Sequence, residues 1–90
     1  MTASGIIINP RDNVAIALRD IKKGELLSCP EGRVLTVLSE IAYSHKVSME
    51  DIPVGAEVFK YGEIIGEAKE PIRKGDWVHT HNLDIEDKKR

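Results

Sequence analysis

The sequence predicts a single small domain that is mainly β, and three observations carry that prediction. Apolar residues fall in short runs bounded by Gly, Pro and Asp, no long stripe of helical period is present, and one corner motif recurs. The motif reads Asp20-Ile21-Lys22-Lys23-Gly24-Glu25, then Asp51-Ile52-Pro53-Val54-Gly55-Ala56-Glu57, then Pro71-Ile72-Arg73-Lys74-Gly75-Asp76. In each copy the isoleucine anchors a corner in the core, and the glycine three residues later takes a positive φ that other residues adopt at a cost. The copies are too unevenly spaced for a solenoid, so the unit is a tight turn between strands.

Taken in order, the first strand is predicted over residues 14–18 (VAIAL), after the polar turn Asn9-Pro10-Arg11-Asp12-Asn13. Asp and Asn in such a turn are expected to bond their own backbone. The turn Pro30-Glu31-Gly32 leads into a second strand over 34–38, and residues 39–44 read as a loop that brings His45 and Lys46 to the start of another. Residues 57–61 and 63–65 flank the turn Tyr61-Gly62-Glu63, and residues 76–79 form the last predicted strand. The domain runs over residues 1–83, and 84–90 is a charged tail with one apolar residue: a solvated end, or the place where a larger subunit docks.

Composition excludes several functions. Thirteen Lys and Arg against 15 Asp and Glu leave a net charge of −2, without the broad positive field of a nucleic-acid binder. No apolar stretch approaches the roughly 20 residues of a membrane span. The lone Cys29 cannot close an internal disulfide, and the N-terminus lacks the pattern of a signal peptide, so a soluble protein of the reducing cytoplasm is expected. Cys29 itself reads as a small packing residue. A domain of this size buries a modest share of its surface. Dependence on a partner is therefore expected, with a homo-oligomer left open, and not a self-sufficient enzyme. Nucleotide hydrolysis, serine hydrolysis and dithiol chemistry lack their motifs.

The stretch Trp77-Val78-His79-Thr80-His81-Asn82 holds two of the three histidines. In an extended segment positions two apart share a side, roughly 6.6 Å apart, so His79 and His81 would converge on one ion or substrate beside Trp77. Neutral imidazole binds zinc and iron and also shuttles protons near neutral pH, so either role fits. A full structural metal site takes about four ligands, and the pair read by itself equally describes a solvated strand face. His45-Lys46 sets a titratable ring beside a fixed cation, suited to a carboxylate, or is simply two exposed polar residues. Lys60 is open to the same two readings.

With those residues in place, the chain resembles the small N-terminal domain, of the antifreeze-like SAF type, found in the altronate and galactarate dehydratase family. The resemblance runs through Asp12-Asn13-Val14-Ala15-Ile16-Ala17-Leu18, His45-Lys46-Val47 with Asp51-Ile52, and Lys60-Tyr61-Gly62-Glu63-Ile64-Ile65-Gly66. It closes on Gly75-Asp76-Trp77-Val78-His79-Thr80-His81-Asn82 and so covers nearly all of residues 6 to 83. The ending resembles the altronate branch more than the galactarate branch.

That resemblance implies a β-clip fold and, as the whole enzyme, a sugar-acid hydro-lyase whose larger part supplies most of the catalytic apparatus. It implies a separately encoded small subunit, inactive alone, that binds a large catalytic dehydratase subunit and a small sugar-acid substrate. The related sulfolactate sulfo-lyase, and a non-catalytic module that binds a sugar acid or a partner, remain alternatives. It also implies a divalent metal, iron for the altronate branch. Dehydration removes a proton next to a carboxylate and expels the neighbouring hydroxyl, and the doubly negative intermediate needs a metal or cations. On this footing His79 and His81 are expected to ligate the metal or assist the departing hydroxyl, while His45, Lys46 and Asn82 bind the substrate.

Overall fold

The structure, a computed structural model, describes residues 3–85. Nine short strands form among them: β1 (Gly5–Ile6), β2 (Val14–Ala17), β3 (Leu26–Ser28), β4 (Val34–Thr36), β5 (Lys46–Ser48), β6 (Glu57–Lys60), β7 (Glu63–Ala68), β8 (Trp77–Val78) and β9 (Leu83–Asp84). No helix occurs among the described residues, and every strand pair is antiparallel. The strands assemble as β1-β2-β5-β8, β3-β4 and β6-β7-β9. The mainly β prediction holds, with each predicted run containing a strand. β1, β3 and β9 are additions, two or three residues long and too short to show an alternating pattern. The predicted tail lies outside the described residues from 86 onward. No helix of the described residues is long and apolar enough to cross a membrane.

The corners organise the chain. Ile21 and Ile41 exchange both backbone hydrogen bonds at 2.8 Å, and Ile52 and Ile72 do the same at 2.7 and 2.9 Å. All four side chains are at most 2% exposed. The second pair repeats the first 31 residues later, from 21 to 52 and from 41 to 72. Even the caps repeat: Tyr43 N donates to Asp20 Oδ1 at 2.8 Å, and Lys74 N donates to Asp51 Oδ1 at 2.9 Å. The structure thus contains a fourth corner, at Ile41, in which Ser44 takes the glycine position with φ 70°.

The four-stranded sheet separates two cores. Opposed residues of an antiparallel pair share a face, and neighbours along a strand alternate. Ala15, Val47 and Trp77 lie on one face, against a cluster with Ile21, Leu27, Val37 and Ile41. Val14 and Val78 lie on the other, with Ile52, Val58, Ile72 and Leu83. Cys29 is a buried free thiol in the first cluster, pushed up by burial and secondarily by the Glu31 carboxylate, which suits a packing residue.

Asp12 and Asn13 bind at long range more than locally, which corrects the expectation of a self-contained turn. Asp12 Oδ2 does accept from Asn9 N at 3.1 Å, but Asp12 also accepts from Tyr61 N at 2.9 Å and Gly62 N at 2.7 Å. Asn13 accepts from Phe59 N and donates to Glu57 O, at 2.8 and 3.0 Å, imitating a strand neighbour of β6. Tyr61 and Gly62, both at positive φ, make the tight β6–β7 turn that Asp12 holds.

Two glycines separate backbone strain from collision. Gly24 and Gly75 have nearly the same φ, +89° and +95°, yet a Cβ on Gly24 meets nothing while one on Gly75 would lie 2.4 Å from Thr36 O. Gly24→Ala is expected to lose about 1–2 kcal/mol, the left-handed conformational cost alone. Gly75→Ala is expected to lose about 2–4 kcal/mol, because overpacking adds to that cost. Urea unfolding of the two variants checks this, and equal losses would contradict the close approach of the corner to β4.

Candidate functional site: an imidazole and indole cluster

The three histidines meet around Trp77. β8 lies on β5 with Trp77 opposite Val47, which sets the half-buried indole against the first core and leaves its outer side accessible. His45 follows the fourth corner: its N–H donates to Ala42 O at 3.0 Å and its carbonyl accepts from Ala17 N at 2.9 Å. The left-handed Ser44 aims the chain so that Trp77 Nε1 donates to His45 Nδ1 at 3.0 Å. His79 stacks on the indole at 5.0 Å and 9°, His81 tilts against it at 5.1 Å and 37°, and His45 lies 5.7 Å from it. His45 and His79 are 5.4 Å apart. Offset aromatic pairs of this kind contribute about 0.5–1.5 kcal/mol beyond burial.

The expected extended segment is a turn. After β8 the chain folds back at His79-Thr80-His81-Asn82, where Asn82 N and Leu83 N both donate to His79 O, at 3.1 and 2.9 Å. The two exposed imidazoles are therefore neighbours through the indole, not through strand alternation. The physical cause is Asn82. Its carboxamide accepts from His79 N at 3.0 Å and donates to Trp77 O at 2.9 Å, which closes the turn from inside. The structure places Asn82, expected from the sequence to bind substrate, at 3% exposure with its carboxamide turned inward to hold the turn.

Lys46 is also displaced from its expected place. It pairs with Ile16 and Val78 and so points to the face opposite Trp77. Burial lowers its ammonium pKa, and repulsion from the Lys60 ammonium lowers it further. Lys60 Nζ in turn sits 4.8 Å over the Tyr61 ring. His45 and Lys46, adjacent in sequence, thus do not form one site.

An open depression of about 500 Å³ adjoins the cluster, lined by His45, Trp77, Asp20, Ser39, Glu40 and the corner at Ile41 and Ala42. Sequence reasoning missed Ser39 and Glu40, which belong to the corner whose glycine is replaced by Ser44; the repeated isoleucine at 41 was the available signal. None of the lining residues is Lys or Arg. An anionic ligand here would find hydrogen bonds and an apolar ring face, but no counter-charge from this chain. The donors also fall short of the implied metal: among the described residues no group of three or more His, Cys, Asp or Glu converges on one point.

The fold and cluster define a small antiparallel β module that presents side chains at its rim beside an open depression, in place of an enclosed active site. The profile of the altronate/galactarate dehydratase SAF domain matches residues 3–86, and the chain belongs to that family. It is 40% identical over 79 residues to altronate dehydratase of Bacillus subtilis (strain 168), covering 88% of this chain. It is 42% identical over 77 residues to altronate dehydratase of Escherichia coli (strain K12), covering 86%. It is 39% identical over 79 residues to galactarate dehydratase (L-threo-forming) of the same organism, also covering 86%. The chain spans only 16%, 15% and 14% of the length of these relatives.

Asn82→Ala removes both contacts that close the turn. The expected loss is about 1–3 kcal/mol, since two part-buried backbone groups lose their partner. Trp77 is the sole tryptophan, so its near-ultraviolet circular dichroism should weaken as the stacked His79 is released. Thr80→Ala, at an exposed position of the same turn, should stay within about 0.5 kcal/mol of the parent. A silent Asn82→Ala would mean that the turn holds itself.

Proposed function

We propose that the chain is the small component of a sugar-acid hydro-lyase and completes a substrate site on a larger catalytic polypeptide. The observation that carries this reading is the rim cluster of His45, Trp77, His79 and His81 beside an open depression, on a module of the altronate/galactarate dehydratase family. The depression lacks a cation, and the chain corresponds to about a sixth of its relatives' length. In this reading the missing charge for the substrate carboxylate comes from a larger component.

The chemistry divides accordingly. Elimination of water needs a base for the proton next to the carboxylate and an acid for the departing hydroxyl. In this reading exposed His79 and His81 hand a proton to the hydroxyl, and His45 donates a hydrogen bond to a substrate oxygen. A divalent ion, iron in the altronate branch, belongs with ligands of the larger component, because the donors of this chain do not converge on one point. In this reading the base belongs to the larger component, and the module is inactive alone. Identities to the altronate and galactarate enzymes lie within three points of one another, so the substrate is assigned as a class, a sugar acid. The exposure of His79 and His81 also suits a second reading, a non-catalytic module that grips its partner through the same rings.

Mixing this chain with the large dehydratase polypeptide and following 2-keto-3-deoxy acid formation tests the proposal. Activity should require both chains. His79→Ala and His81→Ala should each reduce kcat by about 10²–10⁴-fold, the weight of one acid or base group, while assembly persists. Full activity of the large chain alone would refute the role, and unchanged turnover with weakened assembly would favour the binding reading. Release of sulfite in place of water would move the chain to the sulfo-lyases.

A further inference from the structure

We propose that Trp77 fixes the tautomer of His45 and so presents the Nε2–H of that ring to the open depression as a hydrogen-bond donor. An indole N–H is a donor only, so the Nδ1 that it meets at 3.0 Å carries a lone pair and no proton. In the neutral ring the proton then resides on Nε2. Nε2 has no protein partner among the described residues, where no buried polar side-chain atom lacks one, so it is open to solvent. The ring lines the depression together with Trp77 itself.

Both partners are held in place before any ligand arrives. Trp77 is pinned by its pairing with Val47, by the stacked His79 and by the Asn82 bond to its carbonyl. His45 is pinned by the strained Ser44 and by the bond from Ala17 N. An unpinned imidazole exchanges between two tautomers and offers a donor only part of the time. The indole removes that exchange, so Trp77 acts as a positioning residue for His45. The tautomer assignment stands on geometry alone; the acceptor, a hydroxyl or carboxylate oxygen of a sugar acid, rests on the function proposed above.

The test uses the full chain, labelled with ¹⁵N, at about pH 8.5, above the ordinary imidazole pKa of roughly 6.5. A scalar coupling across the N–H···N bond should connect Trp77 Nε1 with His45 Nδ1, and His45 Nε2 should resonate as the protonated nitrogen. Trp77→Phe should abolish the coupling and move both His45 ring nitrogens toward the averaged values of exchanging tautomers. With the large polypeptide added, Trp77→Phe should raise KM about twofold, because a donor present in roughly half of the exchanging tautomers binds with that fraction of the affinity, with a smaller change in kcat. A wild-type chain without the coupling, or with the proton on Nδ1, overturns the tautomer lock whatever the activity and however the variant folds. A coupling accompanied by an unchanged KM in Trp77→Phe overturns the presentation of His45 to substrate. A mixture that dehydrates no sugar acid overturns the assigned ligand, while the coupling still decides the lock.

Discussion

Two reciprocal pairs of backbone hydrogen bonds, Ile21 with Ile41 and Ile52 with Ile72, are the constraint on which the rest of the fold depends. Most strands are only two to four residues long and would not persist alone. The bridges bring four corners together in two crossings, each isoleucine fills a core, and β3, β5, β6 and β8 each begin just after a corner ends. Asp20 and Asp51 satisfy the next backbone donor in each crossing. Stability therefore resides in closure between distant segments, and local β preference contributes less.

The repetition of the crossings explains how the site arises. The second crossing uses Pro71 and Gly75 where the first uses Glu40 and Ser44. The departure from symmetry supplies what a binding surface needs: an acidic residue at the rim, a left-handed serine that aims the next residue, and His45 at that next position. Backbone strain of this type persists where surrounding contacts over-determine it, and such positions cluster at functional sites.

Much of the fold was legible in the sequence, because Ile-x-x-Gly corners and short bounded runs each have a local cause. The Ser44 corner escaped notice since serine does not announce a positive φ, and β1, β3 and β9 escaped because two or three residues are too few to show an alternation, so pairing with β2, β4 and β7 makes them strands. The cluster was legible in its members but not in its geometry. His79 and His81 were read on a straight strand, whereas Asn82, a residue that favours turns, bends the chain. His45 and Lys46 were read as a pair because they are adjacent, and the pleat that sends neighbours to opposite faces separates them. The indole bond to His45 spans 32 residues and leaves no local trace.

Trp77 and Val78 are neighbours in a two-residue strand of the four-stranded sheet, yet their side chains enter different cores. They act as a rivet through the sheet. The turn that carries His79 and His81 cannot pivot without unpacking one side or the other, so an incoming molecule encounters rings already in position. Little ordering entropy is then lost when this rim is covered.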